Sequence, residues 1–278
     1  MKPRKSLESA LNELKAWEFK TTLSSRPFSF RASSLPYCPM ALAISMAREQ
    51  VPNKMDFGGD LYMSVGTTIH EVYQRWLGKF YGSRNLFGLW TCDKCKREIG
   101  PGFRPDSCAC GGQFTYKELR VVHGDFSGHC DGVWFDGVDW YLLDIKSTGW
   151  RTYKALNTFE DILEKHPYWM HQLGAYANIL ERDGFVPQAF TKVLVLLVDR
   201  ADPKTRWKIL EVPAYRDEFE DALELYSEIS AQLAAGDVDN IYRNCDSYHE
   251  GKYCDFQAVC FSKDFGFWMD RWLGRRSR

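Results

Sequence analysis

The run Tyr141-Leu-Leu-Asp-Ile-Lys-Ser-Thr148 has the apolar content of a core strand, yet it carries Asp144 and Lys146 in its middle. Burying an unpaired charge costs several kcal/mol (order of magnitude), so this strand can fold inward only if the acid and the amine meet each other or a cation. Side chains alternate along a strand, which puts Asp144 and Lys146 on one face and Leu143 and Ile145 on the other. The preceding run ends in Asp131-Gly-Val-Trp-Phe135 and is joined to it through Asp136-Gly137, a tight-hairpin signal. With a two-residue loop Phe135 faces Val138 and Asp131 faces Leu142. Asp131 then shares the face of Asp144 as its diagonal neighbour, roughly 7–8 Å away. A four-residue loop would put the two acids directly opposite. Two carboxylates so placed can converge on one divalent cation. The competing reading is a turn at Asp131 and a plain ion pair between Asp144 and Lys146 at a strand end.

Around this pair the chain alternates helical and strand periodicity. Residues 6–19 read as an amphipathic helix with Leu7, Leu11, Leu14 and Trp17 on one stripe, and a second helix is expected from Ala41 to about Gln50. Val65, Ile69, Val72, Tyr73, Trp76 and Phe80 predict a helix over 64–81 with those side chains as its apolar arc. Strands are expected at about 114–123, 127–135 and 139–147, helices at 153–165 and 168–183, strands at 191–199 and 206–213, and a helix at 215–235. Pro167 suits the first turn of the second of the middle helices. The order helix, three strands, helix, strand is an α/β arrangement.

The 278 residues suit one large domain with insertions. Lys and Arg number 36 against 37 Asp and Glu, so there is no global electrostatic footprint for nucleic acid. Any such binding must rest on local patches or bound cations. The absence of a GxxxxGK[ST] loop argues against a built-in helicase motor. No apolar leader and no membrane-length apolar run is visible, which points to a reducing cytoplasm, where nine cysteines serve metals before disulfides.

Cysteines form two groups. Cys92-x2-Cys95-x12-Cys108-x1-Cys110 falls in a segment, 90–113, that lacks periodicity and is rich in Gly and Pro. Four thiolates at this spacing select zinc in a closed, structural site; free cysteines are the alternative. The second group, Cys245-x8-Cys254-x5-Cys260, needs a fourth member, either Cys38 or Cys130. Cys130 lies beside Asp131 in an expected strand and reads as a small apolar packing residue.

Asp131 followed by Asp144-Ile145-Lys146 is similar to the signature of the PD-(D/E)XK nucleases, and the order of core elements resembles that fold. His70 resembles the histidine on the helix before the sheet in RecB-type exonucleases. Gln172 and Tyr176, four apart and so on one helix face, resemble the QxxxY motif of the same group. One early cysteine with three late ones resembles the iron–sulfur members, which include CRISPR-associated exonucleases and AddB-type nucleases. The resemblance implies a restriction-endonuclease-like core, a mixed sheet flanked by helices, as a single nuclease domain over 1–278. A zinc knuckle at 90–113 would be inserted in it, and an iron–sulfur segment at 240–265 would close onto Cys38 as a helical and irregular cap. Cys38, Cys245, Cys254 and Cys260 would hold a four-iron four-sulfur cluster, with a second zinc site as the competitor. His70, Asp131, Asp144 and the Ile145 carbonyl would hold Mg²⁺ or Mn²⁺, Lys146 would orient or deprotonate a water, and Gln172 and Tyr176 would position water or strand. The implied activity is exonucleolytic cleavage of single-stranded DNA in recombination, repair, phage or CRISPR DNA processing, alongside a recombination, helicase or integrase-type protein. Exposed aromatics such as Tyr37, Trp150 or Tyr153 would stack bases, the alternative being that most of them pack against the fold. The alternatives are a non-catalytic nucleic-acid-binding scaffold and a structure-specific endonuclease on the same fold.

Overall fold

The computed structural model describes residues 23–24, 30–31, 38–47, 51–52, 57–124, 126–214, 217–243 and 260. The expected helix at 6–19, Tyr37, Cys245 and Cys254 lie outside the described residues. The described residues divide into two compact units, the larger holding 30–31 and 65–222. In the smaller unit a two-residue ladder pairs β1 (Leu23–Ser24) with β3 (Val51–Pro52). There α1 (Pro39–Ala47) buries Met40, Leu42, Ala43 and Ile44, and the Met40 amide donates to the Tyr242 carbonyl at 3.2 Å.

The larger unit is built on a seven-stranded mixed sheet. Its strands are β4 (Leu86–Cys92), β5 (Glu98–Gly102), β6 (Phe114–Lys117), β9 (Gly132–Phe135), β10 (Trp140–Thr148), β11 (Lys192–Asp199) and β12 (Trp207–Pro213). They run in the order β12-β11-β10-β9-β4-β5, with β6 also paired to β4. Only β10 and β11 are parallel. The crossover between them carries α3 (Trp150–Ala155), α4 (Phe159–Lys165) and α5 (Pro167–Arg182). β11 is buried almost throughout, which is why it reads as an unbroken apolar run. A smaller sheet joins β2 (Phe30–Arg31), β8 (Phe126–Cys130) and β7 (Leu119–His123). α6 (Asp217–Ala235) follows β12.

Several local expectations are corrected. The run at 114–123 breaks at Glu118 and the run at 127–135 breaks at Asp131, and at each break the chain changes sheets. The main-sheet neighbour of β9 is therefore β4. Much of the segment expected as an aperiodic knuckle is sheet: β4 runs into Cys92, β5 lies within it, and the buried Trp90 indole donates to the Gly102 carbonyl at 2.8 Å. The exposed Gly-Pro edge strand carries no alternating pattern that would announce it. The hairpin loop has four residues, since Phe135 pairs with Trp140. Asp136 Oδ1 accepts from the amides of both Val138 and Asp139 at 2.8 Å, an Asx turn that opens the loop by two residues while Gly137 takes a φ of +111°. The helix expected at 153–165 is two, restarted by a capping box in which Thr158 and Asp161 satisfy each other's amides.

The largest correction concerns α2 (Phe57–Tyr81). Four members of the expected apolar arc, Val65, Val72, Trp76 and Phe80, are exposed and do not form its packing face. The inward face is Gly66, Ile69, His70, Tyr73, Gln74, Leu77 and Gly78. Gly66 lies against Ser147, and a Cβ at Gly78 would stand 2.8 Å from the Tyr116 Cβ. Glycine adds nothing to a hydrophobic pattern, yet it lets the helix approach the sheet. Ile69 then joins Leu86, Trp90, Leu143, Ile145, Leu196 and Val198 in one core, each large apolar side chain contributing about 1.5–3 kcal/mol.

Candidate active site

Asp131 stands at the break between β8 and β9, level with Asp144 in the extended β9–β10 register. Because β9 ends at Gly132, the Ile145 amide on that side has no strand partner, and it donates to Asp131 Oδ2 at 2.6 Å. The other oxygen, Oδ1, accepts from Gln74 Nε2 at 3.1 Å and lies 3.5 Å from His70 Nδ1. The Tyr116 hydroxyl donates to the Asp131 carbonyl at 2.8 Å. The Asp131 carboxylate is thus tied down from a strand and a helix, and its backbone from a neighbouring sheet residue.

Asp144 and Lys146 project toward α5. Lys146 Nζ donates to Asp144 Oδ1 at 3.0 Å and to Gln172 Oε1 at 2.9 Å. Gln172 Nε2 in turn donates to the Tyr176 hydroxyl at 3.3 Å. The four-residue spacing on α5 and the two-residue spacing on β10 together make a relay from Tyr176 to Gln172 to Lys146 to Asp144. The Trp169 ring lies 5.7 Å from the ammonium. Gly128 of β8 lets the Tyr176 ring close in, since a Cβ there would stand 2.5 Å from Cε1.

Charge is concentrated here. Asp144 is only 3% exposed, and Oδ2, although 3.0 Å from the ammonium, accepts no hydrogen bond. Burial, and the Asp131 charge after it, outweigh Lys146 and push the Asp144 carboxyl above its ordinary pKa. Burial disfavours the His70 imidazolium, but Asp131 beside it and Asp144 beyond it outweigh that and raise its pKa. A buried carboxylate oxygen that meets an ammonium yet accepts no hydrogen bond is uncommon in folded proteins and can take a further partner. Beside a second carboxylate and an imidazole, it fits a divalent cation.

Cys92, Cys95, Cys108 and Cys110 place their sulfurs within 4.8 Å of one another. A tetrahedron with metal–sulfur bonds of about 2.3 Å has edges of about 3.8 Å, so little movement separates this arrangement from coordination. Among the described residues it is the one group of three or more His, Cys, Asp or Glu side chains close enough to hold an ion as they stand. The acid–imidazole group is less tightly drawn. The Cys95 amide, ahead of that of Lys94, pulls the Cys92 thiol down to about 6. Cys110, despite the opposing Gly112 amide, is pushed up to about 12 by the neighbouring sulfurs. Gly112 is required for the close approach, since a Cβ would lie 2.5 Å from Cys92 Sγ. Of the other cysteine set, Cys38 and Cys260 are described and buried. Cys130 is buried beside Asp131, and its thiol points at the Gly132 carbonyl at 3.2 Å.

Sequence reasoning missed Gln74 and Glu118. Gln74 Nε2 bridges Glu118 Oε1 at 2.8 Å and Asp131 Oδ1 at 3.1 Å, joining the two points at which strands change sheets. A signal for Gln74 existed, because it lies one helical turn beyond His70. Glu118 had none, since a strand break is a tertiary event.

The crystal structure of SSO0001 aligns over 94% of this chain and 99% of its own, at a TM-score of 0.41 and 14% identity. No curated protein matches the chain in sequence. Among the described residues no helix is long and apolar enough to cross a membrane. The model of the PD-(D/E)XK nuclease superfamily matches residues 89–261, a span that contains Asp131, Asp144, Lys146, Gln172 and Tyr176. On that match, which covers more than half of its length, the chain belongs to the PD-(D/E)XK nuclease superfamily.

Proposed function

We propose that the chain is a Mg²⁺- or Mn²⁺-dependent deoxyribonuclease that works as an exonuclease on single-stranded ends. The observation that carries this is the convergence of the buried Asp144 carboxylate, whose Oδ2 meets only the Lys146 ammonium and accepts no hydrogen bond, with the Asp131–His70 pair. His70, Asp131, Asp144 and the Ile145 carbonyl would hold the ion; oxygen ligands suit Mg²⁺, and the imidazole favours Mn²⁺. When bound, the ion supplies a water of lowered pKa and neutralises charge on the phosphoryl oxygens. Lys146, fixed by Asp144 and Gln172, orients the attacking water and offsets negative charge developing on the phosphate. Gln172 holds the ammonium in place, and Tyr176 holds Gln172.

The Cys92, Cys95, Cys108 and Cys110 group would hold zinc with all four positions filled, a structural site bracing the β4–β5–β6 corner. Cys38 and Cys260, with Cys245 and Cys254 from outside the described residues, would hold a four-iron four-sulfur cluster. A helicase, recombination or integrase-type protein would supply the DNA end.

The test is incubation of purified protein with end-labelled single- and double-stranded DNA and Mn²⁺. Progressive shortening of the single strand is expected, abolished in Asp144→Ala and Lys146→Ala; cleavage that survives either substitution refutes the mechanism. Digestion of covalently closed circles would exclude dependence on ends. An anaerobic preparation should be brown and contain iron and zinc. A colourless protein with two zinc ions would replace the cluster with a second zinc site.

A further inference from the structure

Immediately after β10 the chain turns into α3, which opens with Trp150, 44% exposed. Strand pairing fixes the sheet face it serves. Lys146 pairs with Leu197 and Leu197 with Lys208; Thr148 pairs with Asp199, whose amide donates to the Arg206 carbonyl at 2.9 Å. Paired residues share a face. Lys208 and Arg206 therefore emerge on the face of Asp144 and Lys146, two strand spacings or roughly 10 Å across the sheet.

On that face rings and cations alternate. The Arg206 guanidinium lies 4.6 Å from the Trp150 centroid, Trp150 and Tyr153 stack at 5.8 Å and 18°, and Lys208 Nζ lies 4.5 Å from the Tyr153 centroid. Arg206 is held by the fully buried Asp199 at 2.9 Å, and Lys208 donates to the Tyr153 carbonyl and to Asn157 Oδ1. These two cations fasten α3 to the sheet edge. Arg151 and Lys154 do no such work: both are exposed, neither is in an ion pair among the described residues, and Lys154 Nζ lies 5.3 Å from the Trp150 centroid. Fastening α3 needs neither a half-exposed indole nor the exposed, ion-pair-free Arg151 and Lys154 on the same short helix. In a chain of net charge −1, such a local surplus complements a polyanion.

We propose that Trp150, with Arg151 and Lys154, forms a stacking subsite for single-stranded nucleic acid, taking a base of the strand whose backbone reaches Lys146. The inference rests on the nuclease reading and adds to it the place where substrate is gripped. An aromatic face accepts any base, and flanking cations take the phosphates, so the subsite is sequence-tolerant and salt-sensitive.

The experiment is fluorescence anisotropy of a labelled oligothymidylate, and of an abasic oligomer of the same length, with the full chain and no added divalent ion. Trp150→Ala should weaken oligothymidylate binding about tenfold, within the range known for base–aromatic contacts. It should leave the abasic oligomer unchanged, and Trp150→Phe should retain most of the affinity. The double variant Arg151→Gln, Lys154→Gln should weaken both oligomers alike and reduce the slope of log affinity against log salt by about 1.4. Equal loss for both oligomers in Trp150→Ala, or no loss, overturns the proposal. Should that variant not fold, 5-iodouracil photocrosslinking of the unaltered protein decides: an adduct at Trp150 supports the subsite, and adducts only elsewhere overturn it. Base-dependent binding through Trp150 without cleavage under any divalent ion would sink the nuclease reading and leave the subsite standing. Cleavage indifferent to Trp150 would do the reverse.

Discussion

Replacing Gln74 with leucine removes one amide group and keeps nearly the same volume, so it isolates the bridge between Glu118 and Asp131. A hydrogen bond to a charged acceptor contributes about 1.5–3 kcal/mol. The bond to buried Asp131 counts in full, whereas half-buried Glu118 recovers part of its loss from water. A destabilisation of about 2–3 kcal/mol follows, or roughly 4–12 °C in melting temperature for a chain of this size. The consequence for chemistry is separable. Asp131 Oδ2 stays on the Ile145 amide at 2.6 Å, but Oδ1 is left with only the His70 contact at 3.5 Å, so the carboxylate can swing about its remaining tether. Partners that orient a metal ligand are typically worth about 10–100-fold in affinity or activity. With the Ile145 tether intact, the lower end applies, about tenfold in the Mn²⁺ concentration for half-maximal cleavage. Isothermal titration with Mn²⁺ should show the same factor without any turnover. A variant that melts lower but titrates normally would reduce Gln74 to a structural residue, and one unchanged in both would refute the argument.

Other substitutions probe the surrounding parts. Gly128→Ala puts a methyl group 2.5 Å from the Tyr176 ring, so it should cost about 1–3 kcal/mol by overpacking and reduce cleavage through Gln172, as a denaturant melt and a cleavage assay would show. Cys108→Ala should remove one metal ion per chain by elemental analysis and lower the melting temperature while Mn²⁺ titration stays normal; an unchanged metal content would exclude the four-sulfur site. Thr158→Ala breaks the capping box and should cost about 1 kcal/mol in urea unfolding with cleavage unaffected. Asp161 belongs to the same cap: the Asn157 amide, and Lys165 after it, pull its pKa from 3.8 to about 2. Its contribution to stability is therefore complete above about pH 4 and lost as pH falls through about 2. Asp161→Asn should flatten that part of the acid-stability profile, and an unchanged profile would contradict the assignment.

Legibility followed the range of the forces involved. Lys146 and Asp144, two apart on a strand, and Gln172 and Tyr176, four apart on a helix, are joined in one relay because local periodicity already put each pair on one face. The four sulfurs at 92, 95, 108 and 110 could be grouped from spacing, since two short loops can bring them together with little chain between. The packing face of α2 was not legible, because it is built on glycines, which carry no apolar signal, while several large hydrophobic side chains face solvent.

The chain's own order determined that an acid and an amine lie side by side on an apolar strand, that a second acid precedes them across a hairpin, and that thiols cluster. These follow from a repeat of two or four residues, which needs no knowledge of what lies opposite. Only the tertiary structure decided that the second acid leaves its strand to take the Ile145 amide, that Gln74 ties it to Glu118, and that Trp150 stays in solvent on the same face as Lys146. Each of those depends on where one sheet ends and another begins, a balance of long-range pairings that no local pattern encodes.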